Sequence, residues 1–205
     1  MQLVLTLVEP ESSGIGGGAF MLIFDPATGE IEALDGRETA PASATPALHL
    51  DDTGKPLKFF DKVLGGKSVG IPGVVAMLEM AHNEHGKLPW ADLFTYAIDL
   101  AEGGFEMSPK LHEWLVCLPS INEMPDMRAY FTHHGVPYTV GTTIKNPAYA
   151  ATLRKIAAGK SDAFYRGDIA GAIIKAVAEA PRRPATIPQA DFDAYQPKKR
   201  TIDCA

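Results

Sequence analysis

The chain has 205 residues, of which 46% are apolar, 21% charged and 8% aromatic, and a formal net charge of −6. That balance suits a globular core of fair size, and it excludes nucleic acid as a partner, because the one basic cluster, Lys198–Arg200, is too short to track a phosphate backbone. A membrane span is excluded as well: the longest apolar runs, Leu3–Leu5 and Ala19–Phe24, fall far short of the roughly 20 residues a bilayer-crossing helix needs.

Met1 leads at once into the apolar stretch Gln2–Val8, with no basic n-region and no A-x-A cleavage pattern, so the chain is expected to begin inside a longer sequence. Ala19–Phe24, the turn cluster Asp25–Gly29 and Ile31–Leu34 predict a β-hairpin with a buried first strand. Apolar positions Val74, Val75, Met77, Leu78 and Ala81 recur at helical spacing, predicting a helix over 73–85 with Gly86 as a left-handed stop. Pro89 opens the next stripe, Trp90, Leu93, Phe94, Ala97, Ile98 and Ala101, which ends near Gly103 and Gly104. Ser108 and Pro109 open a third helix, with Leu111, Trp114, Leu115 and Leu118 on one face and Pro119 as its stop.

Residues 119–145 read as short helical turns and loops. Asn146 caps a helix with Pro147 in its first turn, a buried face of Ala150, Leu153, Ile156 and Ala157, and a stop at Gly159. A further helix runs from Asp168 to Pro181, and a last short one over Pro188–Tyr195. Lys198–Ala205 reads as a strand cut off before any turn. The expectation is one domain over 1–205, strand- and loop-rich to residue 72 and mainly helical over 73–195, truncated at both ends.

The loudest local signal is Glu9-Pro-Glu-Ser-Ser-Gly-Ile-Gly-Gly-Gly-Ala19, in which Gly14, Gly16 and Ala19 match a dinucleotide fingerprint, with Asp35 further on. That fingerprint needs a helix opening at the glycines, whereas Phe20–Phe24 runs into a turn, and no Lys-Ser or Lys-Thr follows to make a phosphate loop. The plainer reading is close backbone packing. His82 and His85 have i, i+3 spacing but lack a third ligand, and His133 and His134 lie in a loop, so no metal site is assigned. Cys117 and Cys204 have no C-x-x-C spacing, which argues against a disulfide scaffold or a zinc knuckle. No nucleophile motif occurs, and no catalytic residue is assigned within the chain. Arg37 lies just past the second predicted strand, where loops reach toward ligands; the bland alternative is a salt bridge to Asp35 or Glu38.

Two blocks, Leu7-Val-Glu-Pro-Glu-Ser-Ser-Gly-Ile-Gly-Gly-Gly-Ala-Phe20 and Leu34-Asp-Gly-Arg-Glu-Thr-Ala-Pro41, resemble the large subunit of γ-glutamyltranspeptidases. Similar blocks follow in order: Gly65–Gly73, Gly86–Trp90, Ala101–Phe105, Lys145–Ala148 and Phe164–Gly167. The resemblance implies part of an N-terminal-nucleophile (Ntn) hydrolase, an α+β fold with a four-layered αββα core shared by a large and a small subunit cut from one precursor. It implies a threonine nucleophile beyond Ala205, an acyl-enzyme formed from γ-glutamyl amides such as glutathione and passed to water or an amino acid, and no cofactor. The position matching Arg37 would grip the α-carboxylate of the γ-glutamyl group, a task suited to a planar guanidinium fork. The glycine loop would be scaffold beneath the pocket. The small subunit is the implied partner, the location is periplasmic or secreted, and the chain alone would be inactive and prone to self-associate. The rivals are an acylase of the same fold, acting on a cephalosporin side chain or a poly-γ-glutamate capsule, and a non-catalytic binding or assembly module.

Overall fold

The computed structural model describes residues 1–118 and 121–202. In chain order the elements are α1 (Gln2–Val8), β1 (Ala19–Phe24), β2 (Ile31–Gly36), α2 (Phe59–Val63), α3 (Val74–His85) and α4 (Thr95–Gly103). Then come β3 (Phe105–Glu106), α5 (Pro109–Cys117), α6 (Pro125–Phe131), β4 (Thr132–His133), β5 (Val136–Pro137) and β6 (Thr143–Ile144). The last are α7 (Pro147–Tyr165), α8 (Asp168–Ala178), α9 (Gln189–Asp193) and β7 (Lys198–Arg200). They fall into two compact units, one of residues 1–14 and 88–157, the other of 15–87 and 158–205. Pro119, read from sequence as the stop of α5, and Cys204 lie outside the described residues.

The first unit is helical, with two short antiparallel ladders, β3 with β6 and β4 with β5. Its helix starts follow local chemistry. The Ser108 hydroxyl accepts the Leu111 N–H at 3.1 Å, and the Asn146 side chain accepts the Tyr149 N–H at 2.9 Å, so each cap satisfies a donor the helix itself cannot. Leu7, Phe94, Ala101, Leu111, Leu115, Ala150, Leu153 and Ile156 are buried, while Trp114, on the predicted apolar face of α5, is 37% exposed. Gln2–Val8 forms helix α1, pinned where the Tyr149 hydroxyl donates to the Leu3 carbonyl at 3.0 Å.

The second unit holds a three-stranded antiparallel sheet in the order β1-β2-β7. Leu34 of β2 packs with Met77 and Ala81 of α3, joined by Ala19, Met21 and Ile23 from the same face of β1. The opposite face of β1 is open: Phe20, Leu22 and Phe24 are 65%, 70% and 61% exposed. The expected buried strand is therefore corrected to one packed on alternate residues, because period-2 geometry gives α3 only one of its faces. Gly86 is corrected too. Its φ is −67°, in the extended region; a side chain there would collide with His82, so close approach rather than left-handed backbone selects glycine. The first helical segment of α7 stops at Gly159 as expected: Lys160 is non-helical (φ 55°, ψ −149°), the Glu79 carboxylate accepts the Ser161 N–H at 2.9 Å, and a second helical segment follows.

Candidate functional site

The glycine loop of the second unit enters β1, a strand, and serves as a backbone seat: the Gly17 carbonyl accepts the N–H groups of Gly73 and Val74 at the start of α3. Gly18 fits because a side chain there would collide with the Glu38 carboxylate and the Arg37 backbone. Loop and strand end thus approach closely and bring Arg37 beside the glycines. An antiparallel bridge between Thr39 and Ile71, closed by N–H···O bonds of 3.2 and 2.8 Å, holds the segment after Arg37 against the Gly65–Gly73 block.

These segments border an open cleft of about 450 Å³ whose walls include Gly16, Arg37, Thr39, His49, Lys67 and Ser68. One wall is stapled by Arg183, whose guanidinium donates to the carbonyls of Asp61, Lys62 and Leu48 at 3.1, 3.0 and 2.6 Å. Lys67 and Ser68 follow Gly65 and Gly66, both pressed against the 182–185 backbone so that any side chain would clash.

Arg37 is anchored at both main-chain groups and along its side chain. Its N–H donates to Asp35 Oδ1 at 2.9 Å, and its carbonyl accepts the Tyr195 hydroxyl at 2.9 Å. Its guanidinium donates to the Gly18 carbonyl at 3.1 Å, pairs with Glu38 at 3.0 Å and lies 6.0 Å from the centre of the Phe20 ring. The bland alternative is thus present in the structure: Glu38 is the ion-pair partner of the guanidinium, whereas Asp35 takes the backbone N–H. Asp35 gives its other oxygen to Arg200 of β7, with contacts of 2.8 and 2.6 Å. The Arg37 N–H bond and then the Arg200 guanidinium hold the Asp35 carboxyl below its ordinary range despite its burial. Burial pushes the Tyr195 hydroxyl up to about 12, helped by the negative charges of Asp35 and Glu38, so it stays a donor at physiological pH.

Arg37 keeps a side chain 51% exposed, and a guanidinium has five N–H donors, so two protein acceptors leave capacity for an incoming carboxylate. Lys67 adds a second positive charge to the cleft, against Glu38. The arrangement can bind an anionic group; the described residues lining it present no nucleophile paired to a base. His85 does not come together with His82 in a metal-like set. Glu32, Glu84 and His85 do cluster, but Lys199 already reaches both carboxylates at 2.5 Å. Cys117 is exposed and unbridged. The sequence points to Arg37 and to Asp35 and Glu38 beside it, but not to Tyr195, Arg183 and Arg200; Gly65–Gly73 is the signal nearest to them, since a glycine-rich block marks close backbone approach.

The family model for gamma-glutamyltranspeptidase matches residues 1–203. The glutathione hydrolase proenzyme of Bacillus subtilis (strain 168) is 36% identical over 170 residues, 83% of this chain and 29% of that protein. The gamma-glutamyltranspeptidase from Pseudomonas nitroreducens complexed with L-DON superposes with a TM-score of 0.86 at 32% identity, over 97% of this chain and 57% of that one. The Helicobacter pylori gamma-glutamyltranspeptidase gives 0.88 at 30% identity, over 97% and 56%. The chain therefore spans about three-tenths of the length of the curated relative. Among the described residues no helix is long and apolar enough to cross a membrane. With its β-hairpin, glycine seat and helices matched to these structures over nearly its whole length, the chain belongs to the γ-glutamyltranspeptidase family and carries part of that family's Ntn-hydrolase fold.

Proposed function

We propose that this chain is the part of a γ-glutamyl acyltransferase and hydrolase large subunit that recognises the γ-glutamyl group, with Arg37 binding its α-carboxylate. The observation that carries the reading is the anchored yet half-exposed guanidinium at the cleft. Acyl transfer needs the scissile amide held at a fixed distance from the nucleophile, and a bidentate arginine–carboxylate pair fixes one end of the substrate in both distance and plane. The nucleophilic threonine belongs to the small subunit of the same precursor, so this chain alone is inactive. The open face of β1, Phe20, Leu22 and Phe24, supports a further layer packed on the sheet, as a four-layered core requires, and isolated chains would self-associate through it. The whole protein acts in the periplasm or outside the cell. The α-carboxylate reading also favours γ-glutamyl substrates over cephalosporin side chains.

The test is steady-state hydrolysis of a γ-glutamyl anilide by the full-length enzyme. Charged hydrogen bonds contribute about 1.5 to 3 kcal/mol each, so Arg37→Ala is expected to lower kcat/KM by about a hundredfold, with Arg37→Lys recovering part of it. A loss of less than about threefold in Arg37→Ala, below the cost of even one such bond, would refute the assignment.

A further inference from the structure

We propose that Tyr195 is a positioning residue for the substrate carboxylate: its hydroxyl fixes the Arg37 main chain and thereby aims the guanidinium into the cleft. The inference rests on the reading of Arg37 given above and adds to it a second residue, 158 positions away in the chain.

Arg37 follows the last residue of β2, where the strand ladder has ended. Side chains take the place of a neighbouring strand: Asp35 accepts its N–H and Tyr195 donates to its carbonyl, both at 2.9 Å. Asp35, two residues back on β2, holds the N–H side and is itself tied to Arg200 of β7. Tyr195 comes from the segment after α9 and provides the outside reference.

That reference is itself fixed. The Tyr195 ring stacks on Tyr165 with centroids 5.4 Å apart and planes 2° from parallel. The Tyr165 hydroxyl donates to the Pro72 carbonyl at 2.7 Å, and the Gln189 side chain donates to the Tyr165 carbonyl at 2.8 Å. Gly73, next to Pro72, leaves room for the contact, since a side chain there would collide with both the Tyr195 hydroxyl and the Gly36 carbonyl. The hydroxyl thus occupies a slot walled by the two chain segments that flank it and has one acceptor to serve.

The guanidinium has softer restraints. Its ion pair with Glu38 and its hydrogen bond to the Gly18 carbonyl are both open to solvent, and such contacts hold geometry weakly. The direction of the Arg37 side chain is therefore set largely by its backbone, and an error on the order of 1 Å at the fork is enough to spoil a bidentate carboxylate contact. A residue that merely stabilised the fold would affect every substrate and every background alike. A residue acting through Arg37 would lose its effect once Arg37 is removed.

The experiment is a double-mutant cycle in the full-length enzyme with a γ-glutamyl anilide. Tyr195→Phe keeps the ring and its stack and removes only the hydroxyl. It is expected to raise KM about tenfold, with kcat within about twofold of the parent, as the loss of one hydrogen bond that positions the substrate implies. In the Arg37→Ala background the same change is expected to have no further effect on KM. The proposal is overturned if Tyr195→Phe leaves KM within about twofold of the parent while Arg37→Ala raises it strongly, or if the Tyr195→Phe effect persists undiminished in the Arg37→Ala background. If Arg37→Ala itself leaves KM and kcat near the parent values, the carboxylate reading of Arg37 falls, and this inference falls with it.

Discussion

The helical unit and the cleft unit are held together over different ranges of sequence. In the helical unit the ends of α5 and α7 are set by side chains three residues from the donors they satisfy, Ser108 for Leu111 and Asn146 for Tyr149. In the cleft unit Arg37 depends on Tyr195 and Asp35 on Arg200, partners 158 and 165 positions away. Local chemistry decides where helices begin; the binding groove exists only once the chain has closed on itself. Substitutions near the cleft should therefore disturb more than their own element, and substitutions at the caps should not.

The largest stability effect that follows is at Gly73, where an added methyl meets the Gly36 carbonyl, a backbone atom that cannot rotate away. Gly73→Ala is expected to destabilise the full-length protein by about 3 kcal/mol, the upper range for overpacking, seen as a lower denaturant midpoint. A midpoint unchanged from the parent would mean that the slot between Gly36, Gly73 and Tyr195 is looser than described.

Asp35→Asn is expected to have a smaller, pH-dependent effect. The Arg37 N–H and Arg200 hold the Asp35 carboxyl below its ordinary pKa of 3.8, so the folded state favours the charged form. The stabilisation is then complete above that ordinary value and is lost as the pH falls through the lowered folded one. The parent should exceed the variant by about 1 to 2 kcal/mol at neutral pH, with Arg200 half-exposed and partly screened, and the gap should close on acidification below about pH 4. A gap that stays constant down to acid pH would place the effect outside Asp35 ionisation.

The smallest effect separates the two regions most cleanly. Ser108→Ala removes one cap from α5 and is expected to cost about 1 kcal/mol in stability, with kinetics on a γ-glutamyl anilide unchanged. Altered KM in this variant would tie the helical unit to the groove more closely than the interactions within each unit imply.

The same contrast explains what could be read from the chain alone. The β1–β2 hairpin, α3, α5, α8 and the body of α4 were legible because apolar period, capping residues and Pro–Gly punctuation are local signals, although the turn expected to open α4 at Pro89 is the 3-10 segment Trp90–Phe94 and the α-helix starts at Thr95. The open face of β1 was not, since an unbroken run of apolar residues looks the same whether both faces are covered by this chain or only one. Gly86 was misread for a related reason: sequence shows that a side chain is absent, and only the His82 approach shows why. At the site, Arg37 is legible through its block, Leu34–Pro41, which also carries Asp35 and Glu38, but the distant residues that hold it are not. Tyr195 carries no mark in sequence distinguishing it from a helix-end tyrosine, and Arg183 and Arg200 read as ordinary surface cations until their acceptors are in place.

The central claim is that Arg37 reads an α-carboxylate, and equilibrium binding to the full-length enzyme tests it without relying on turnover. L-glutamate and 4-aminobutanoate differ only by that carboxylate. Calorimetry should find glutamate bound about a hundredfold more tightly by the parent, as two charged hydrogen bonds imply, and the difference reduced to within about threefold in Arg37→Ala. If Arg37→Ala still prefers glutamate by the parent's margin, the carboxylate is recognised elsewhere and the account of this cleft is contradicted.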